Sequence, residues 1–219
     1  NEKKDLDISD QIAHETLKKL LKSAPSEIRP QLKDNIKWIK SAKENNLVVG
    51  SQARILYADA DGRIEIAKAF NKAIKDGKIS APIILGRDHH DVSGTDSPYR
   101  ETSNIYDGSQ FTSDMSIHNV IGDSFRGATW VSIHNGGGVG WGEVVNGGFG
   151  LMIQGTKECD KKIQSMLFWD VNNGISRRNW ATNKEAISTI KRAMEKEPQL
   201  KITIPEIASD DIINNIVFD

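Results

Sequence analysis

Apolar residues recur at helical spacing through the first forty positions. Ile12, Leu17, Leu20 and Leu21 form one stripe, and Leu32, Ile36 and Ile39 start a second around Trp38. Ser9 stands where it could cap the first helix, and Pro25 and Pro30 punctuate the stretch. From residue 47 the spacing changes. Residues 53–58 (ARILYA) and 82–86 (PIILG) predict strands, with a turn over 59–62. Between them Ile66, Ala69, Phe70, Ala73 and Ile74 repeat with helical period until Gly77 stops the helix. A strand–helix–strand alternation of this length implies a parallel pair joined by a crossover helix. Residues 87–112 lack clean periodicity and read as a long loop, the kind that is usually functional or disordered. Beyond it the pattern predicts a helix over 115–125 capped by Ser113, then a strand over 128–133 ending in His134 and a glycine cluster. A further strand over 149–153 and helices over 156–169 and 183–196 follow, the first of these helices opening on Thr156. The expected fold class is therefore α/β: a parallel or mixed sheet with flanking helices, and a helical N-terminal segment. The boundary falls between a helical segment over 1–49 and an α/β part over 50–219.

Composition narrows the function classes. The chain has 219 residues, with 29 basic and 30 acidic side chains for a net charge of −1. That length supplies an ample core. The charge balance excludes nucleic acid or an anionic membrane surface as a bulk partner. No apolar run approaches the roughly 18 residues of a membrane span, and the polar start (NEKKDLDISD) does not resemble a secretory leader. A single cysteine rules out an internal disulfide and a thiolate metal cluster, and fits a reducing, cytoplasmic compartment. The chain begins at Asn1 and not at methionine, so a piece of a longer protein is expected.

The charges are unevenly placed. No lysine occurs between Lys78 and Lys157, where the only strong cations are Arg87, Arg100 and Arg126. Four of the five histidines and fourteen of the eighteen glycines fall in the same region. Solvated surface recruits lysine, so the gap predicts an enclosed region, and arginine tolerates burial while gripping carboxylate or phosphate with paired hydrogen bonds. Arg87-Asp88-His89-His90-Asp91 follows the strand at 82–86, at the strand end where α/β folds place ligands. An Asp beside a His can orient the imidazole for acid–base work. The same residues could bind a metal together with His118 or His134, or simply cap a polar loop. Residues 93–102 (SGTDSPYRET) offer hydroxyls and Arg100 for an anion pocket, or merely pair their carboxylates with the arginines. His134-Asn135-Gly136-Gly137-Gly138-Val139-Gly140-Trp141-Gly142 lets backbone N–H groups approach an anion. It is neither a Walker loop nor a strict GxGxxG, and a flexible hairpin is its plain alternative. Cys159 lies at a hydrophilic helix start between Glu158 and Asp160, which argues for a structural thiol.

Four segments closely resemble the C-terminal part of the urocanase family: GSQARILYADADGRIEIA, SAPIILGRDHHDVSGTDSPYRETSNIYDGS, RGATWVSIHNGGGVGWGEVVNGGFG and FWDVNNGISRRNW. RDHHD with SGTDSP is similar to the branch found in animals and some other organisms. The resemblance implies a hydro-lyase of histidine degradation that adds water to urocanate, giving 4-imidazolone-5-propanoate. It implies NAD+ acting as an electrophile and not as a hydride carrier, bound in a Rossmann-like domain that this segment would lack, and a cytoplasmic homodimer. Carried over residue by residue, it implies cofactor contacts at Gly136, Gly137, Gly138 and Gly140. Asp88 or Asp91 would transfer a proton with His89 beside it, while Arg100, helped by Arg87, would hold the substrate carboxylate; no metal is implied. One departure stands out. Many bacterial members have a catalytic cysteine in Ala-Arg-Ile-Cys-Trp, whereas this chain reads Ala53-Arg54-Ile55-Leu56-Tyr57. Two other readings stay open on the residues alone: a metal-dependent hydrolase using His89, His90, His118 and Asp residues, and a non-catalytic nucleotide-binding module.

Overall fold

The structure, a computed structural model, describes residues 3–45, 54–87, 114–135, 145–180, 182–206 and 208–217. Two helices open it: α1 (Lys3–Ser23) and, after a short 3-10 turn at Ser26–Ile28, α2 (Arg29–Ser41). Pro25 and Pro30 mark this break, Pro30 sitting in the first turn of α2 where a missing N–H costs nothing. Helix α1 starts at Lys3, upstream of Ser9. Ser9 lies inside it and donates its hydroxyl to the Leu6 carbonyl at 2.8 Å, so it is not the cap that the pattern predicts.

Helix α3 (Ala60–Lys75) begins where the turn over 59–62 is expected. Asp59 caps it, accepting from the Gly62 N–H at 2.9 Å, so the turn signal proves to be a helix start. Its end follows expectation. Gly77 takes φ +70°, donating to the Ile74 carbonyl, and Lys78 donates to Ala73, which closes the last turn in a Schellman motif.

Strands β1 (Ile83–Arg87), β2 (Trp130–Asn135) and β3 (Val145–Ile153) form one sheet in the order β1-β3-β2. Both pairs are antiparallel, with Arg87 opposite Phe149 and Trp130 opposite Gly150. Flanking helices are present as expected, but these strands form an antiparallel sheet and not a parallel or mixed one. Two residue-level reasons account for the difference. The nine residues of β3 lie between the other two strands and pair with both. Residues 54–58, the expected parallel partner of β1, join no ladder. The Asn35 side chain of α2 takes up the Tyr57 backbone instead, accepting from its N–H at 3.1 Å and donating to its carbonyl.

Helix α4 (Asp114–Phe125) packs on β2, β3 and α5. Helix α5 (Lys157–Trp180) runs well past residue 169, where the apolar pattern fades, and α6 (Lys184–Lys196) packs against it. A final helix, α7 (Asp210–Val217), lies in a stretch with no element in the sequence reading. One core joins these pieces: Leu17 and Leu32 from α1 and α2, Ile64 and Phe70 from α3, Phe149, Leu151 and Ile153 from β3, and Ile163, Met166 and Leu167 from α5. Polar ties fasten α1 to the rest. Arg54 meets Asp10 at 2.8 Å, and Asp5 accepts from the Ser80 hydroxyl at 2.6 Å and its N–H at 3.1 Å. Those Ser80 bonds, the hydroxyl first, hold the Asp5 carboxyl below its ordinary range.

Asn35 is buried, and its amide does for Tyr57 what a neighbouring strand would otherwise do. Asn35→Leu leaves that N–H and carbonyl without their partner. We expect a loss of about 1–3 kcal/mol of unfolding free energy in urea titrations.

Candidate functional site

Helix α5 is organised by a stripe at 163, 166, 167, 170 and 171, the i, i+3, i+4, i+7, i+8 positions of one buried face. Four of these are Ile163, Met166, Leu167 and Val171. The fifth is Asp170, a carboxylate 1% exposed where the pattern demands a hydrocarbon. Helix α4 repeats the anomaly. Its buried stripe is Ser116, Asn119, Val120 and Asp123, three of them polar and each of those fully buried. A buried charge without a partner costs several kcal/mol, so these side chains require one another or a common cation.

The cation is Arg87, the last residue of β1. Its Nε donates to both Asp170 oxygens at 2.9 Å, and its Nη2 donates to Asp170 Oδ1 at 2.8 Å and to Asn119 Oδ1 at 2.6 Å. Nη1 donates to the Gly147 carbonyl of β3 at 3.2 Å, and the Phe149 ring lies 5.8 Å from the guanidinium carbon. Asn119 donates its own amide to Asp170 Oδ1 at 3.2 Å. One guanidinium thus joins β1, β3, α4 and α5.

Asp123 sits one turn further along α4. Burial first, then the Asp170 carboxylate beside it, push its carboxyl up to about 8, while Arg87 and Arg126 pull the other way. No donor among the described residues satisfies its two oxygens. Near neutral pH the group therefore carries a proton.

Trp169 closes the α4–α5 contact. Its Nε1 donates to the Asn119 carbonyl at 3.1 Å, Arg126 lies 4.4 Å over its ring, and His118 meets it edge-on at 4.9 Å. Gly122 makes this approach possible, since a Cβ there would fall 2.0 Å from Trp169 Cε2.

On the other side of Arg87 a cleft of about 900 Å3 opens between α2, residues 55–59, α5 and α6. Tyr57, Asp59, Arg63, Asp170, Arg177 and Arg178 line it together with Arg87. Its size is that of a small-molecule or cofactor pocket, and guanidinium donors suit an anionic ligand such as a carboxylate or a diphosphate. Arg63 donates through Nε to the Ala58 carbonyl at 2.8 Å, and burial pushes its guanidinium below the ordinary arginine range. A second cavity of about 540 Å3 lies between α1, α3 and β1. Leu56 lines this second cavity whereas Tyr57 lines the cleft, as alternation along an extended chain requires.

Residues 1–192 match the model of the urocanase C-terminal domain family. The chain belongs to that family. A probable urocanate hydratase of Dictyostelium discoideum is 62% identical over 217 residues, covering 98% of this chain and 32% of that protein. The urocanate hydratase of Mus musculus is 54% identical over 211 residues, covering 95% and 31%. That of Homo sapiens is 52% identical over 208 residues, covering 94% and 31%. The chain spans about a third of the length of the curated relatives that it matches.

Of the site residues named from the sequence of this urocanase segment, the described residues include Arg87, in the position just given. Asp88, His89, Asp91 and Arg100 lie outside the described residues, as do Gly136, Gly137, Gly138 and Gly140. His118 is described, on the Trp169 edge with its Nδ1 3.2 Å from the Asn173 amide nitrogen. Among the described residues no three His, Cys, Asp or Glu side chains gather to hold a metal ion, and no helix is long and apolar enough to cross a membrane. His89 and His90 are outside that search. Cys159 is buried in the first turn of α5, where the Thr156 hydroxyl caps its N–H at 3.1 Å. Its thiol is pushed up, by burial first and only then by Asp160, which agrees with a structural role. Asp170, Asn119 and Asp123 were not singled out from the sequence, although polar residues on two buried stripes are a readable signal.

The Asp123 proton gives a pH test. In the unfolded chain the group ionises near 3.8, but in the folded chain near 8. Between those values the folded state holds a proton that the unfolded state has released, so this group makes stability fall as pH rises through that window. Asp123→Asn mimics the protonated acid and removes the dependence. The difference in slope between parent and variant should reach up to about 1.4 kcal/mol per pH unit, read from urea unfolding at pH 5, 6.5 and 8. Parallel profiles would show that Asp123 is ionised in the fold.

Proposed function

We propose that this chain is the C-terminal catalytic-core segment of a urocanate hydratase, a lyase of histidine catabolism, and that it supplies part of an active site for adding water to urocanate. The observation that carries the reading is Arg87. It ends β1, lines the 900 Å3 cleft, and is fixed there by Asp170, so the Asp88–Asp91 run starts from an anchored point at the cleft wall. The names of relatives at 52–62% identity over nearly the whole chain support the same reading.

Urocanate is a small planar anion. In this reading Arg100 holds its carboxylate. Asp88 or Asp91 transfers the proton that hydration requires, and His89 beside it orients the carboxyl and shares its charge. Arg87 contributes by anchoring the run, since its donors are directed at Asp170, Asn119 and Gly147. The guanidinium-lined cleft has the donor chemistry and size to accept part of a dinucleotide. Gly136, Gly137, Gly138 and Gly140 are the proposed backbone contacts to NAD+, which when bound supplies an electrophilic nicotinamide ring. Leu56 puts no thiol at the position where many bacterial members have one, so the proton transfers rest on carboxyl and imidazole groups. The reading also includes a cytoplasmic homodimer, with a small molecule as the substrate.

Loss of the ultraviolet absorbance of urocanate tests this directly. The complete chain, with NAD+, should consume urocanate, and the 219 residues alone should not. Robust turnover by the 219 residues alone would contradict the divided site. Absence of turnover by the complete chain would contradict the function.

A further inference from the structure

We propose that Asp170 is a positioning residue which holds the roots of both site-bearing segments in one register. This deepens the urocanate reading above and rests on it where activity is the readout. Each segment is joined, at one end at least, to an element that the buried network grips. Residues 88–113 leave β1 at Arg87 and enter α4, and residues 136–144 leave β2 and enter β3. Asp170 takes Arg87 through two oxygens, Asn119 of α4 bonds both of them, and the same guanidinium takes the Gly147 carbonyl near the start of β3. Of the four elements that these segments leave or enter, β1, α4 and β3 thus each supply a residue to the network: Arg87 at the junction itself, Asn119 further along α4 from Asp114, and Gly147 just inside β3 from Val145. Asp170 itself lies on α5, the helix that also carries Leu167 and Met166 into the core, so the grip is referred to the most buried part of the molecule.

The network is more than a packing device. Hydrocarbons at both 87 and 170 would leave no charge to desolvate, and replacing a whole buried ion pair in this way is often neutral or stabilising. A fork-to-carboxylate pair instead fixes direction as well as distance, because both guanidinium bonds must be aligned at once. Directional fixing is what a catalytic segment needs, since a misplacement of about 1 Å is enough to cost roughly a hundredfold in rate.

The test uses the complete enzyme. Asp170→Asn keeps the shape and removes the charge, and Leu17→Ala, in α1 and away from the network, serves as a stability control. For Asp170→Asn we expect kcat to fall roughly ten- to a hundredfold at nearly constant KM, counted per folded molecule. For Leu17→Ala kcat should hold although the melting temperature drops. Equal kcat in parent and Asp170→Asn overturns the proposal and leaves Asp170 purely structural. Should Asp170→Asn fail to fold, Asn119→Ala takes its place: it spares the ion pair, and a fall in kcat of roughly three- to tenfold supports the proposal while no change overturns it. Hydrogen exchange separates this idea from the assigned reaction. Faster exchange at the Gly86, Arg87, Gly147 and Gly148 amides in the variant, with α6 unchanged, supports the grip even if the parent proves not to hydrate urocanate. Unchanged exchange at those amides overturns it.

Discussion

A guanidinium and a carboxylate taken out of water, Arg87 and Asp170, set the terms for the rest of this structure. Desolvating the two charges costs several kcal/mol for each ion, and that cost is offset only with good geometry and additional partners. Both are present: paired Nε and Nη2 contacts between 2.8 and 2.9 Å, and Asn119 and the Gly147 carbonyl on the remaining donors. Satisfying one charge in this way requires residues from β1, β3, α4 and α5 to meet at one point. The close approach of α4 to α5 at Gly122 and Trp169, and of α4 to β3 at Gly147, follows from that requirement.

The neighbouring acid completes the arrangement. With Asp123 protonated, Asp170 is the one charged acceptor facing Arg87 in this network, and the guanidinium is not divided between two carboxylates. The same point of the fold forms a wall of the cleft, beside Tyr57 and Arg63. That wall is stiff and stands at the end of a strand, with both charges of the pair fixed in it. Stability and site architecture therefore share their most expensive interaction, which links a change in one to a change in the other.

Periodicity made most helices legible, because α1, α2, α3 and α6 each bury an ordinary apolar stripe. It failed in the second half of α5, where Asp170, Asn172, Ser176, Arg177 and Asn179 are buried and the apolar rhythm disappears. That failure coincides with the site. The parallel pair was misread because residues 53–58 have strand composition, and nothing local in the sequence shows that Asn35, 22 positions away, takes the Tyr57 backbone. The absence of lysine from the middle of the chain did point to enclosed arginine, and Arg87 is one. Its partner lies 83 residues further on, a distance over which composition is silent. The urocanase segments were recognisable from long motifs, yet the residues that those motifs make most interesting, 88–113 and 136–144, lie outside the described part of the chain.

The central claim is that Arg87 and Asp170 act as one unit. A double-mutant cycle measures that directly, with Arg87→Met, Asp170→Leu and the double variant unfolded in urea beside the parent. Each single change should cost about 3–5 kcal/mol, because it strands a buried charge. The double change should cost far less than their sum, giving a coupling of at least about 2 kcal/mol. Additive losses, with coupling below about 0.5 kcal/mol, would show that the two side chains do not depend on each other and would contradict the account.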